Sequence, residues 1–358
     1  MLQEVRYKWR LVVYMTGLLI ACPTRAQSSI TLYGALDGAM LYTSKTLDTN
    51  TGGNAGKRVS MISNGSIYSR LGMIGTEDLG GGLKAKFKLE SGFYINDGTP
   101  ACNGNYFGCE AWVSLDSNYG EVKAGLQFSP FIIALYMTDP RSLSFFGSGN
   151  VIFIDHFAGT SFFSPNSLSY TSPDVSGFQA RLLYSFGGSP GDFRAGQQYS
   201  ASIQYQHGPL LVNAAIYDST GGSPVQTPIP TNLSAVGRTV GASVNFGAVT
   251  IKASFVNYKV AGSFNSNVFG GGFSWVPTPY LNFDGGVWLT SDRNRTANHS
   301  LLAALGGAYN LSKRTAVYAQ IASASNHGAM NTGVSVIGGL FGTSGSTVGA
   351  TVGLRHLF

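Results

Sequence analysis

Lys84, Lys86, Lys88 and Glu90 recur at every second position. A helix would spread them around its circumference. A strand sets all four on one side, because successive strand side chains point to opposite faces. Arg70, Arg181 and Lys252 fall on the same polar phase in stretches of their own. Gln179, Arg181 and Ser185 alternate with Phe178, Ala180, Leu182 and Tyr184, and Lys252 and Ser254 alternate with Ile251, Ala253 and Phe255. Rows of this kind hold no nucleophile, no acid–base couple and no metal cage. Their chemistry is electrostatic: they set the potential along a wetted wall. Residues suited to covalent chemistry are sparse. The five histidines, at 156, 207, 299, 327 and 356, are scattered, and none sits in a motif for acyl transfer or proteolysis. Cys102 and Cys109 are close together with no histidine nearby, so in an exported chain a loop disulfide is expected and a metal site is the poorer alternative.

The wall that carries these rows runs from Ile30 to Phe358. Alternation persists in stretches of about ten residues, separated by turn-rich segments. Short turns lie near Asp78–Gly82, Ser117–Gly120, Pro173–Gly177, His207–Pro209, Phe246–Gly247, Pro277–Tyr280 and Asn310–Arg314. Between them fall longer loops near 43–66, 95–108, 129–166, 189–197, 219–235, 261–266, 291–298 and 327–344. Seven short turns and eight long loops join sixteen strands.

Composition indicates what the wall faces. Charged residues are 11% of the 358, against about 25% in a typical soluble domain, too few to cover a soluble surface. Mean hydropathy is near neutral, and beyond Ala26 no run approaches the roughly 18 apolar residues of a membrane helix. A sheet with one apolar and one polar face, and no edge it can leave open in lipid, must close on itself. The expected fold is all-β: a transmembrane 16-stranded antiparallel β-barrel, with short turns in the periplasm and long loops outside.

The N-terminus reads as an export signal. Arg6, Lys8 and Arg10 precede an apolar run, Leu11–Ala21, and Thr24-Arg25-Ala26 offers a small-x-Ala cleavage site. Residues 1–26 are expected to be removed, leaving 27–358 as a single barrel domain. The run is too short for a membrane anchor. Leu19-Ile20-Ala21-Cys22 also resembles a lipoprotein cleavage site, but a strand begins straight after Gln27 with no tether. Without residues 1–26 the chain keeps 19 basic and 16 acidic groups, a net charge of +3. The basic balance therefore belongs partly to the leader, and no clustered basic face supports nucleic-acid binding. At the other end Val348, Ala350, Val352, Leu354, His356 and Phe358 alternate to the last residue. A terminal strand ending in Phe358 suits recognition by barrel-assembly machinery. Tyr42, Tyr119, Tyr309 and Phe358, near strand ends, suit the interfacial girdles of a barrel among outer-membrane lipids and lipopolysaccharide.

Six ordered segments carry a family resemblance: Ser28-Ser29-Ile30-Thr31-Leu32-Tyr33-Gly34; Ser69-Arg70-Leu71-Gly72; Gly75 through Ala85 with Leu89-Glu90-Ser91-Gly92-Phe93; Asn166 through Pro173; Leu311 through Thr315 with Tyr318; and Gly353 through His356 with Phe358. Together they resemble the trimeric general porins of Gram-negative bacteria over essentially the whole mature chain. The resemblance implies a homotrimer, passive diffusion of small hydrophilic solutes and ions, no cofactor, and a third loop, here about 129–166, folded into the pore. A loop that long without structure of its own is usually functional. The resemblance also implies a basic wall facing acids on that loop, giving Arg70, Lys84, Lys86, Lys88, Arg181 and Lys252 on the lumen face and Asp139 and Asp155 opposite. Arg70 matches its motif position by position. A tight second loop closed by Cys102 and Cys109 could latch onto a neighbouring subunit.

The chain also departs from the family. Ile74, Leu126 and Cys109 stand where basic residues are frequent, and the third loop is rich in apolar side chains, among them Phe131, Ile132, Ile133, Tyr136, Phe145, Phe146, Phe153, Phe157, Phe162 and Phe163. Two readings stay open. The constriction is less polar and less ion-selective than usual, even selective for small aromatic or amphipathic solutes, or these side chains only pack the loop against the wall. Rival readings from other classes are an outer-membrane enzyme and a surface adhesin or antigen acting through its Gly-, Ser- and Asn-rich loops.

Overall fold

The computed structural model describes residues 28–156, 163–220 and 234–358. The leader with Cys22, and Phe157 and Phe162, lie outside the described residues. β1 (Ser29–Thr43) runs toward the long-loop end, and its return partner comes in two pieces, β2 (Arg58–Ser63) and β3 (Arg70–Gly80). Hairpins then follow in order: β4 (Leu83–Gly92), β5 (Glu110–Ser117), β6 (Gly120–Phe128), β7 (Phe163–Thr171), β8 (Phe178–Ser185), β9 (Gln198–His207) and β10 (Leu210–Ser219). The second half continues through β11 (Ala235–Asn245), β12 (Val249–Val260), β13 (Asn265–Thr278), β14 (Leu281–Asp292), β15 (His299–Asn310) and β16 (Thr315–His327). A small hairpin, β17 (Thr332–Ser335) with β18 (Gly339–Phe341), occupies the last long loop before β19 (Gly345–Leu357).

With β2 and β3 as one broken strand, sixteen antiparallel strands form a closed barrel. Closure is made by β1 on β19, from Ala35 opposite Leu357 to Thr43 opposite Gly349. Closure satisfies the backbone groups that an open edge would strand in hydrocarbon. Burial inverts the soluble pattern. On β16 the inward Ala316, Tyr318, Ala322 and Ala324 are buried, while the outward Val317 and Ile321 are exposed. Leu182, Ile216, Leu305 and Val352 are likewise exposed, as a lipid-facing band requires.

A glycine seats the terminal residue at the closure seam. Gly34 exchanges backbone hydrogen bonds with Phe358, and a Cβ at Gly34 would lie 2.3 Å from the Phe358 ring and 2.7 Å from the Arg70 carbonyl. Overpacking of this kind costs about 1–3 kcal/mol even where the site relaxes. Gly34→Val is therefore expected to unseat the terminal ring and lower the yield of heat-modifiable barrel on unheated SDS gels. A wild-type yield would show that the seat is dispensable.

Two segments differ from the sequence expectation. The region 43–66 is not all loop, because β2 lies within it. After β2 the chain turns inward: Asn64 takes a φ of 63°, and the Asp37 carboxylate accepts the Ser66 and Ile67 N–H groups at 2.9 and 2.8 Å and the Tyr318 hydroxyl. The third loop is not structureless either. It holds two helices, α1 (Pro130–Thr138) and α2 (Gly149–His156). Ser129 caps α1, its Oγ accepting the Ile132 N–H at 3.2 Å, and Pro130 supplies a first-turn φ at no hydrogen-bond cost. The molecule's apolar core is this loop against the inner wall: Phe131, Leu135, Phe146 and Ile152 are fully buried with Tyr217, Tyr258 and Trp288 of the strands.

Candidate functional site

The folded-in loop leaves a cavity of about 1090 Å³ between itself and the opposite wall. Side-chain hydrogen bonds and an ion pair anchor the loop. Asn213 Nδ2 donates to the Ala134 carbonyl at 3.0 Å, and Ser200 Oγ accepts the Phe131 N–H at 3.1 Å. Asp139 accepts the N–H groups of Arg141, Leu143 and Gly149 at 2.9–3.0 Å and the Trp288 indole N–H at 3.1 Å. Arg141, buried, donates to Asp284 of β14, Gln320 of β16 and the Phe146 and Gly147 carbonyls, the last two at 2.7 and 3.1 Å. Gly306 makes room for that guanidinium, since a Cβ there would lie 2.5 Å from Arg141 Nη2.

These anchors revise the expected role of the loop acids. Asp139 is 3% exposed and turned into the loop's own backbone, so it presents no charge to the passage. Burial pushes its carboxyl up from the ordinary range, and the N–H donors and the Lys252 charge act against that shift. Asp155 lies on α2, but its side chain falls outside the described residues. Lys252 faces inward on β12 yet is spent on the loop, donating to the Asp139 carbonyl and Ser142 Oγ, both at 3.1 Å.

On the opposite wall β3, β4, β5 and β6 carry a ladder of paired charges. Registry puts Arg70, Lys84, Lys86 and Lys88 on the inner side together with Glu90, Glu110 and Asp116. Glu90, 1% exposed, lies 3.5 Å from Arg70 and 3.4 Å from Lys88, and accepts the hydroxyls of Tyr33 (2.6 Å) and Tyr68. Lys88 also pairs with Glu110, whose second oxygen accepts the Trp112 indole N–H at 2.8 Å. Lys86 bridges Asp116 at 2.6 Å and Glu121 at 3.8 Å, and Glu121 reaches Lys123 at 3.8 Å. Arg355 sits across from Asp37 in the β1–β19 register. Two sequence candidates stand apart from the waist. Lys84 is exposed beside the short turn and forms no ion pair among the described residues. Arg181, on β8, is half-buried against Gln179 and Gln204, the latter at 3.3 Å.

Sequence reading missed the acids that answer these cations. Glu110, Asp116, Glu121 and Lys123 alternate across the Ser117–Gly120 turn, a period-2 signal that could have placed them. Asp284 and Gln320 have no local signal, since they meet Arg141 from 143 and 179 residues away. Of the third-loop apolar residues, Phe131, Ile132, Phe146 and Phe153 are buried in packing, whereas Tyr136 is 56% exposed. Tyr136, Ile133 and Phe145 line the cavity. Cys102 and Cys109 are joined as a disulfide in the second long loop.

Comparison with known proteins gives the arrangement its context. A family model described as Gram-negative porin matches residues 12–329. The outer membrane porin protein 32 of Delftia acidovorans is 30% identical over 350 residues, covering 93% of this chain and 95% of that protein. The solved anion-selective porin from Comamonas acidovorans superposes with a TM-score of 0.80 at 28% identity, over 93% of this chain and all of that one. The trimer form of OmpT from Vibrio cholerae shares the fold, with a TM-score of 0.68 at 15% identity over 92% of this chain and 99% of that one. A closed sixteen-stranded barrel, narrowed from within by its third loop and matched over most of its length, places this chain in the Gram-negative porin family, as a diffusion channel of the outer membrane.

Proposed function

We propose that this channel passes small hydrophilic solutes with little preference between anions and cations. The observation that carries the reading is that the ladder cations at the waist have acidic partners: Arg70 and Lys88 have Glu90 and Glu110, and Arg141 has Asp284, while Arg355 lies across from Asp37 in register and Lys252 is held by the Asp139 carbonyl and the Ser142 hydroxyl without an ion pair. Paired charges cancel beyond a few ångströms, so the focusing that makes a narrow pore selective is weak here. The Comamonas porin, by contrast, is described as anion-selective. Reversal potentials across planar bilayers in a KCl gradient test the reading. Anion and cation permeabilities are expected within about threefold of each other, below the roughly tenfold ratio that one uncompensated charge at about 6 Å would produce in water by favouring one ion and opposing the other by ~0.7 kcal/mol each. Strong selectivity for either ion overturns it.

A second reading, selectivity for small aromatic or amphipathic solutes, draws support from Tyr136, Ile133 and Phe145 on the cavity surface. Current block by added aromatic carboxylates, absent with aliphatic ones of equal charge, would favour it. The rest of the proposal is assembly. Residues 1–26 act as the export signal, Phe358 as the terminal assembly signal, and the chain works as a homotrimer in which the Cys102–Cys109 loop reaches a neighbouring subunit. No catalytic step is part of the proposal. Lipase or protease activity of the purified barrel would contradict it.

A further inference from the structure

The base of the second long loop returns to the inner face of the barrel, and its disulfide takes a place in the lumen wall. The inward row of β4, Lys84, Lys86, Lys88 and Glu90, runs on to Gly92. A Cβ at Gly92 would lie 2.8 Å from Cys109 Sγ and 3.0 Å from Cys102 Sγ. The two sulfurs therefore stand where the next inward side chain of the ladder would be, and only a glycine leaves them that room. Both limbs of the loop are tied to the same strand. Ala101 N–H donates to the Gly92 carbonyl at 2.9 Å, and Cys109 N–H to the Glu90 carbonyl at 3.2 Å.

This position connects the disulfide to the charges of the waist. Cys109 is fully buried and directly precedes Glu110, the acid that β5 sets against Lys88. Glu90, the other acidic partner of Lys88, supplies the carbonyl that holds Cys109. Cys102 is only half-buried, and it borders the main cavity together with Lys88, Glu90 and Glu110. The loop tip is separate from this contact: Tyr106 is 83% exposed there, so a neighbouring subunit can meet the tip while the sulfurs face the lumen. Cys102 and Cys109 are the only cysteines beyond Cys22.

We infer that the Cys102–Cys109 disulfide is a thiol-exchange site in the pore wall, open to small thiols in the lumen, and that its cleavage moves the channel toward anions. Exchange depends on which sulfur an attacking thiolate can reach. A thiolate in the cavity attacks Cys102 Sγ and forms a mixed disulfide, while the protein's own S–S bond breaks and Cys109 leaves with the electron pair and takes up a proton. A second small thiol then attacks the sulfur of the first and releases Cys102. In sum, two small thiols are oxidised to their disulfide and one protein disulfide is reduced to two thiols. With the covalent ring open, the start of β5 is held by hydrogen bonds alone, and Glu110 can move away from Lys88. The direction of the effect rests on the compensated waist proposed above.

The test uses the full wild-type barrel in planar bilayers under a KCl gradient, with 2-mercaptoethanol as the probe and mass spectrometry to follow cleavage. The thiol is expected to raise the anion-to-cation permeability ratio at least about twofold, less than loss of a whole charge because Glu110 stays on the chain. Reoxidation should restore the starting value. Charged methanethiosulfonates applied after reduction should then move the reversal potential in opposite directions, the sulfonate reagent toward cations and the trimethylammonium reagent toward anions. The double variant Cys102→Ser, Cys109→Ser should behave as the reduced wild type and ignore the thiol. Gly92→Ala keeps both cysteines but crowds the sulfurs; it should shift the ratio the same way, and it supplies the test if the serine variant fails to assemble. A disulfide that the thiol leaves intact, or one cleaved without moving the ratio, overturns the inference. So does a thiol response that persists in the serine variant. A strongly selective untreated channel counts against the compensated waist alone, since the thiol-induced change is read relative to it.

Discussion

Arg141→Ala is expected to release the third loop from the wall while leaving the barrel assembled. Single-channel records should change from steady openings to larger, flickering currents with frequent substates. Arg141 joins both halves of the loop, through the Phe146 and Gly147 carbonyls, to two strands, through Asp284 and Gln320. Its side chain is 2% exposed, so the Phe146 and Gly147 carbonyls, and Asp284, itself 26% exposed on the cavity, would be left without this donor. Removing one member of a buried pair costs about 3–5 kcal/mol, which shifts the docked-to-undocked balance of the loop by about 10²-fold or more. The wall ladder does not depend on this side chain, so heat-modifiable mobility on gels should persist. Lys252→Ala should have a smaller effect of the same kind, because that ammonium makes only two hydrogen bonds to the loop and stays partly hydrated. Traces of Arg141→Ala that match wild type would mean that helix packing alone, Phe131 and Leu135 against β9 to β12, holds the loop.

The same residues mark the limit of what the sequence discloses. The barrel was legible because its rule is local: a period of two, a short turn, a period of two again. Lys84, Lys86 and Lys88 obey it and stand on the inner face. The α1 start was legible in principle from Ser129-Pro130, a cap followed by a first-turn proline, but the aromatic and β-branched run behind it hid the helix. Asp139 was misread for a physical reason. A carboxylate in a long polar-ended loop ordinarily faces water, and only two backbone N–H groups within its own turn, that of Gly149 ten residues on, and an indole from β14, 149 residues away, make burial tolerable. Whether a lumen cation is free or neutralised depends on the register between the neighbouring strands β3 to β6, which alternation within each strand does not fix. The row of lysines was readable in the sequence, but its cancellation was not.

That cancellation makes the acids, rather than the lysines, the sensitive place to change selectivity. Glu90→Gln should convert a nearly unselective channel into an anion-preferring one, with the anion-to-cation permeability ratio rising at least about threefold. Gln keeps the volume, and its amide can accept from one of the Tyr33 and Tyr68 hydroxyls and donate to the other, while Arg70 and Lys88 lose their shared counter-charge. One freed unit charge at about 6 Å contributes ~0.7 kcal/mol in bulk water and several times that if the waist behaves as a medium of lower dielectric constant. Threefold is therefore the lower bound. Glu110→Gln should move the ratio in the same direction by removing one of the two acidic partners of Lys88, and it protects the test should the buried Glu90 prove necessary for folding. Arg70→Gln should move it the other way, toward cations, since Glu90 then outweighs its remaining partner. High salt should shrink all three shifts as the screening length falls below the width of the passage. If neither acid variant changes the reversal potential, the ladder stands outside the resistive part of the pore. The waist would then lie where Tyr136, Ile133 and Phe145 meet the wall, and its discrimination would depend on solute shape and polarity instead of charge.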